Sequence, residues 1–354
     1  MKRIKIVTYC TWTSIGSILQ AFALKKALSE IGYESVILLD GKDNAFGKIK
    51  IHSLKSFIKR LFEIINNKSK KLSYKKRLGF VNKNIDTEVF YNYEVLEKEG
   101  YCDSTVVYLA GSDQIWNPMQ CNPLFFLEFA KNNRCISYAA SMGKTQIPDD
   151  KASIIKAYLE KFDYISVREY VCAEVLSDLT DKDIEVNIDP TFLLSAEEWR
   201  KYEKEYKVKG PYILLYMLYW NDGCRNKIKS LKKKTGLPVY AISNGLSGVY
   251  ADKVLYDVGI EEFLWLMDNA KYVVTSSFHG AAFSVIFNKK FATLINPEAP
   301  SRIVNLLETL MVPMIEIDFL NDADDYDYKT INARVVQEKN KSILYLKKAI
   351  EENR

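Results

Sequence analysis

The chain has 354 residues, 48% hydrophobic and 27% charged, a balance that excludes a mainly disordered protein. Its 15 Gly and 9 Pro are too few for a collagen-like or linker-dominated chain, and at roughly 150 residues per domain the length suggests two domains. The formal charge of +5 is uneven: between Lys42 and Arg77 twelve basic residues face two acids, a local +10 that leaves −5 on the remainder. One basic segment on a mildly acidic body excludes a nucleic-acid-binding face.

The predicted elements alternate. A short apolar strand at 4–9 is followed by a turn at 11–14 and a helix at 16–28, with Ser14 as N-cap and Gly32 as stop; a second strand covers 35–39. In the basic segment Leu54, Phe57, Ile58, Leu61, Phe62 and Ile65 form one apolar helical stripe, with Lys55, Lys59 and Arg60 off it. Strands at 104–110, 133–138, 163–167 and 184–188 each end in polar residues, and a helix after the third runs to Leu179. After a break at 195–210 the rhythm restarts with strand 212–218, helix 225–235, strand 238–243, helix 260–269 and strand 272–276. Helix 281–288, strand 291–295, helix 302–310 and a charged terminal helix at 333–352 follow.

Strands alternating with helices predict parallel sheets, and the two runs predict two Rossmann-like domains facing a cleft. The expected division is 1–200 for an N-terminal, acceptor-side domain that includes the basic segment 42–77, and 201–330 for a C-terminal domain. Residues 331–354 form a terminal helix expected to pack back on the first.

Six cysteines at 10, 102, 121, 135, 172 and 224 show no CxxC spacing and are expected to be reduced, buried small hydrophobes. With only His52 and His279, a multi-histidine metal centre is excluded. The longest apolar stretch, 212–220, is far short of the roughly 20 residues a membrane helix needs. The first seven residues are basic and then apolar without a long h-region or cleavage site, so a cytoplasmic location is expected. Peripheral contact with the inner membrane surface is an alternative use of the basic stripe, beside simple packing on the N-terminal domain.

In parallel α/β sheets ligands bind beyond the carboxyl ends of the strands. Ser14 to Ser17, Gly111 to Gln114, Arg168, Asp189, Asn244 and His279 all fall there. Helix capping accounts for any one Asp or Ser; the set as a whole points to a polar cleft. His279 follows an apolar strand and opens a helix of small residues, a setting suited to anion binding and proton transfer. Arg168 stands at a similar junction, where an ion pair with Glu169 is the alternative to an anion clamp, and Arg302 near another could be a second clamp. The first βα turn has no GxGxxG, and there is neither a P-loop nor a GxSxG elbow.

Six stretches occur in order: GSILQAFAL from Gly16, GSDQIWNP from Gly111, SYAASMG from Ser137, SVRE from Ser166, DPTFLL from Asp189 and SSFHG from Ser276. From about residue 5 to about residue 310 the chain resembles the polysaccharide pyruvyl transferase family, although Ser14 stands where many members carry Asn. The resemblance implies a glycosyltransferase-B-like fold. It also implies transfer of pyruvate from phosphoenolpyruvate to two hydroxyls of a glycan sugar, by default a terminal galactose closed as a 4,6-ketal. His279 matches the family's essential histidine and Arg168 its phosphoenolpyruvate-binding arginine, with Arg302, Ser277 and Gly280 completing a donor side. Asp113 is the candidate base, with a helix-capping or hinge role as its alternative. Ser14, Gly16, Ser17, Gln20, Ser112, Gln114, Asn117 and Asp189 are expected to line the acceptor side. The expected partners are phosphoenolpyruvate and a glycan, lipid-linked or free; no cofactor and no metal is called for. A sugar-nucleotide-dependent glycosyltransferase of the same architecture, or a glycan-binding protein without catalysis, are the competing readings.

Overall fold

Short runs rich in Ile, Val and Leu form the strands, and the central ones are buried because helices cover both faces of a parallel sheet. The computed structural model describes residues 3–11, 13–40, 68–103, 105–130, 132–243, 250–296, 301–322 and 326–352. The chain divides into two compact units: Met1–Leu61, Val81–Leu193 and Gln337–Arg354 make the first, Phe62–Phe80 and Leu194–Val336 the second.

The first unit opens with β1 (Arg3–Val7), α1 (Ile15–Glu30) and β2 (Glu34–Asp40). After α2 (Lys68–Asn84) come β3 (Thr87–Phe90), α3 (Tyr93–Cys102), β4 (Val107–Ala110) and β5 (Arg134–Ser137). Then follow α4 (Asp149–Leu159), β6 (Ile165–Val167), α5 (Tyr170–Ser177) and β7 (Ile184–Val186). The sheet order is β3-β2-β1-β4-β5, all parallel. The parallel pair β6-β7 continues it: Ser137 N–H donates to Tyr164 O (3.0 Å), and Ala140 N–H to Ser166 O (3.1 Å). Twelve of the sixteen residues of α1 are buried, so it is a core helix rather than an amphipathic surface one. Trp116, stacked on Phe126 at 5.4 Å and edge-on to Phe162 at 5.3 Å, anchors the core.

The second unit contains α6 (Ala196–Arg200), β8 (Ile213–Tyr216), α7 (Asp222–Thr235), β9 (Val239–Ile242) and β10 (Lys253–Leu255). It continues with α8 (Ile260–Asn269), β11 (Tyr272–Thr275), α9 (Phe278–Ile286), β12 (Lys290–Thr293) and α10 (Ser301–Thr309). The order β10-β9-β8-β11-β12, again all parallel, repeats the pattern of the first sheet.

The last helix, α11 (Tyr328–Glu351), is counted with the first unit from Gln337 onward. There Tyr345 donates to Ser137 O (2.8 Å), Arg134 to Ala349 O (2.9 Å), and Ile188 N–H to Ser342 Oγ (3.1 Å). The basic segment is divided. The predicted stripe at 54–65 lies outside the described residues, whereas residues 68–80 of α2, read from the sequence as part of the N-terminal domain, count with the second unit. Ser73 donates to Val258 O (2.6 Å), and Lys76 pairs with Glu262 (2.9 Å). The boundary expected near 200 falls after Leu193, because Trp199 of α6 packs edge-on against Phe283 of α9 at 5.1 Å. Among the described residues no helix is long and apolar enough to cross a membrane.

Candidate functional site

In each sheet the strand order reverses at one place, between β1 and β4 in the first and between β8 and β11 in the second. A crevice for ligands opens at such a reversal, at the carboxyl ends of the strands. The predicted polar residues sort onto these two places and the strand ends beside them.

In the first unit, the ends of β4 to β7 bring six side chains together. Arg168, 4% exposed, donates from Nη1 to Asp189 Oδ2 (2.7 Å) and from Nε to Glu169 Oε1 (3.1 Å). Ser112 Oγ also donates to Asp189 Oδ2 (3.2 Å), and Ser141 Oγ to Glu169 Oε1 (2.8 Å). The other oxygen of Asp189 accepts from Thr191 N–H (3.0 Å) and Thr191 Oγ1 (2.8 Å). Burial works against the charge of Arg168, but Glu169, then Asp189 and Asp113, outweigh it and raise its pKa. The guanidinium is therefore a buried, permanently charged tie between the loops after β6 and β7. This is the ion-pair alternative read at Arg168 from the sequence, with Asp189 as a second carboxylate.

Asp113 takes a left-handed backbone (φ 75°), which a short polar side chain tolerates, and its Oδ1 accepts from Gln114 N–H at 2.9 Å. Gly143, at φ 62°, gives way to Gln114: a Cβ there would stand 2.0 Å from Gln114 Nε2. At the other side of the crevice Ser14 caps α1 by accepting from Ser17 N–H (3.2 Å), with Gly16 buried between them. Gln20 Nε2 donates to Tyr9 O (2.8 Å) and Thr8 Oγ1 (3.0 Å), and Thr8 Oγ1 donates to Ser112 O (2.7 Å), so the ends of β1 and β4 are joined. Asn117 N–H donates to Gln114 O (3.4 Å), and its Oδ1 accepts from Met119 N–H (3.0 Å) in a local turn. Asn244 lies outside the described residues.

In the second unit β11 runs into Ser276 and Ser277, and Ser277 caps α9 by accepting from Gly280 N–H (3.4 Å). All nine residues of α9 are buried, among them His279 in its first turn, 7% exposed and edge-on to Phe278 at 5.2 Å. Thr275 Oγ1 accepts from Ser277 N–H (3.0 Å) and donates to Tyr216 O (2.6 Å), which fixes the turn between β11 and α9. Gly280 is required by that hydroxyl, since a Cβ would lie 2.1 Å from Thr275 Oγ1. The first turn of α9 thus presents an imidazole beside helix-terminal amides, a place for negative charge and a proton donor together. Arg302 is half-buried in the first turn of α10.

The sequence reading missed Ser141 as part of the Arg168 network, and Leu218 and Tyr219 beside Ser276. Predicted strand 212–218 ends at Tyr216 because Ser276 Oγ takes the N–H groups of Leu218 and Tyr219, both at 2.8 Å, and bends the chain off the sheet. Among the described residues no group of three or more His, Cys, Asp or Glu is placed to hold a metal ion.

The polysaccharide pyruvyl transferase family model matches residues 15–297, most of the chain and all the candidate strand-end residues but Ser14 and Arg302. The chain belongs to the polysaccharide pyruvyl transferase family. No curated protein matches this pyruvyl transferase family member in sequence. Solved structures similar to it include the Staphylococcus aureus MnaA–UDP complex, at 12% identity over 98% of this chain and 96% of that one, TM-score 0.52. UGT89C1 from Arabidopsis thaliana complexed with UDP-L-rhamnose aligns at 8% identity over 97% and 94%, TM-score 0.52. The UDP-GlcNAc 2-epimerase from Methanocaldococcus jannaschii aligns at 13% identity over 96% and 92%, TM-score 0.50. At such identities the likeness shows the fold alone: this family member has the glycosyltransferase-B-like architecture of two Rossmann-like domains.

Proposed function

We infer that this chain moves pyruvate from phosphoenolpyruvate to two hydroxyls of a glycan sugar in cell-surface or capsular polysaccharide synthesis. A terminal galactose ketalised at its 4- and 6-hydroxyls is the default acceptor. Membership of the polysaccharide pyruvyl transferase family supports the reaction class, and the observation that carries the assignment is His279 in the capped first turn of α9.

In this scheme His279 delivers a proton to the methylene carbon of phosphoenolpyruvate, which makes the neighbouring carbon electrophilic. The oxygen of the first sugar hydroxyl bonds to that carbon, and phosphate leaves with the electron pair of its C–O bond. The second hydroxyl then closes the ketal. Of the two hydroxyl protons released, one replaces the proton delivered to carbon and the other leaves with phosphate. The N-terminal amides of α9 and Ser277 hold one anionic group of the donor, and Arg302 is assigned to the other. Asp113 is assigned as base for a hydroxyl. Arg168 acts as a positioning residue, because both of its bonded nitrogens are spent on Asp189 and Glu169. No step is assigned to a metal or other cofactor.

The test is phosphate release from phosphoenolpyruvate with and without a galactoside acceptor, repeated in EDTA. Acceptor-dependent release that persists in EDTA is expected, and transfer from a nucleotide sugar instead would defeat the reading. His279→Ala should lower turnover by about 10²–10⁴-fold while donor affinity and melting temperature hold. Earlier melting with an intact rate per folded molecule would make His279 a core residue.

A further inference from the structure

The crevice at the strand reversal of the second sheet has two sides, and the sequence reading populated one of them. From β11 come Ser276, Ser277 and His279; from β8 come Met217, Leu218, Tyr219 and Trp220. Ser276 Oγ ties the sides together. It accepts from Leu218 N–H and Tyr219 N–H (2.8 Å each) and donates to Tyr219 O (2.9 Å), the full bonding capacity of a hydroxyl.

The four residues of the β8 side differ in what they cover. Met217 is 2% exposed and Trp220 half-buried, and both pack into the core of this unit. Leu218 is 52% exposed, Tyr219 is half-buried, and neither belongs to that core. The hydroxyl of Ser276 therefore fixes the main chain that carries an exposed aliphatic and a half-buried aromatic side chain, next to the strand end that carries Ser277 and His279.

Phosphoenolpyruvate, all phosphate, carboxylate and one methylene, has no use for such a surface. A pyranose ring does: its hydroxyls lie at the edge and its C–H bonds on the faces, so one face suits an aromatic ring while the edge turns to polar groups. We propose that Leu218 and Tyr219 form the wall on which the acceptor sugar ring rests, with Ser276 as the residue that positions it. The inference rests on the pyruvyl-transfer reading and names how that site recognises its acceptor.

Phosphate release from phosphoenolpyruvate is measured with the methyl glycosides of galactose, mannose and glucuronic acid as acceptors. Saturation-transfer NMR on the same glycosides reads binding without turnover. Tyr219→Ala and Leu218→Ser should each raise the acceptor KM by about 3- to 10-fold, the range expected for one aromatic or apolar contact, and leave the phosphoenolpyruvate KM unchanged. Tyr219→Phe should stay near wild type, and Ser276→Ala should resemble Tyr219→Ala without earlier melting. Wild-type acceptor KM in both folded wall variants, or an equal rise in the phosphoenolpyruvate KM, overturns the wall. So does wild-type protein that binds none of the glycosides, or UDP binding that Tyr219→Ala abolishes, which would make the wall a platform for a base. If wild-type protein releases no phosphate but binds a glycoside that Tyr219→Ala loses, the wall stands and the pyruvyl-transfer reading falls.

Discussion

Arg168 shows how much of a side chain's role is set by its neighbours. A guanidinium held by two carboxylates in the interior contributes through geometry, and removing it leaves Asp189 and Glu169 buried without their counter-charge. Arg168→Met should therefore destabilise the first unit by about 3–5 kcal/mol, read by chemical denaturation. If stability holds while donor affinity collapses, the arginine is a donor clamp after all. A second carboxyl, Glu203, behaves differently. Burial, then the charge of Asp268, pushes its pKa from 4.5 up to about 7, although Arg200 and Lys289 pull the other way. Asp268 is itself gripped by Arg200 Nε (2.7 Å) and Nη2 (3.1 Å), and burial lowers the pKa of Lys289 beside it. A carboxyl with a raised folded-state pKa contributes its stability below the unfolded value and loses it as pH rises through the folded one. The melting temperature should therefore fall as pH rises from about 4.5 to about 7 and level off above that, and Glu203→Gln should flatten that fall. An unchanged slope in the variant would locate the pH dependence elsewhere.

At the scale of elements, α9 and α2 carry opposite lessons. The first, Phe278–Ile286, is apolar and buried all along, with small residues where it meets its own strand. Gly280 is fixed by the close approach of Thr275, so Gly280→Ala should cost about 1–3 kcal/mol through overpacking, visible as a lower melting temperature. A neutral result would mean that the turn between β11 and α9 yields more readily than its hydrogen bonds suggest. The second, Lys68–Asn84, escaped the sequence reading because its buried face is partly polar. Ser73, Arg77, Phe80 and Val81 are buried at helical spacing, yet two of the four carry hydrogen-bonding groups spent on Val258 O. A search for an apolar stripe passes over such a face. The short elements β3 and β10 escaped for a related reason: with four and three residues they carry too few apolar positions to show alternation, and exist by pairing with β2 and β9.

At the scale of the whole molecule, the two units repeat one strand order, and their candidate site residues gather at corresponding strand ends. The sequence by itself determined the alternation of strand and helix, hence parallel sheets in two runs, because periodicity is a local property of the chain. It also determined the family, through motifs such as Ser276-Ser277-Phe278-His279-Gly280, and the placing of Ser112, Arg168, Asp189 and His279 at carboxyl ends of strands. Only the tertiary structure decided which of these meet. Asp189 lies 21 residues from Arg168 in sequence and shares its guanidinium with Glu169, while Ser112, 77 residues from Asp189, bonds the same oxygen. It also decided that α2 serves the second unit from within the first unit's stretch of sequence, and that Leu218 and Tyr219 leave β8 for Ser276, 58 and 57 residues on. The physical reason is common to these cases. Hydrogen bonds and ion pairs between distant residues depend on where parallel strands end in space, and that follows from strand order, which hydrophobic spacing does not encode.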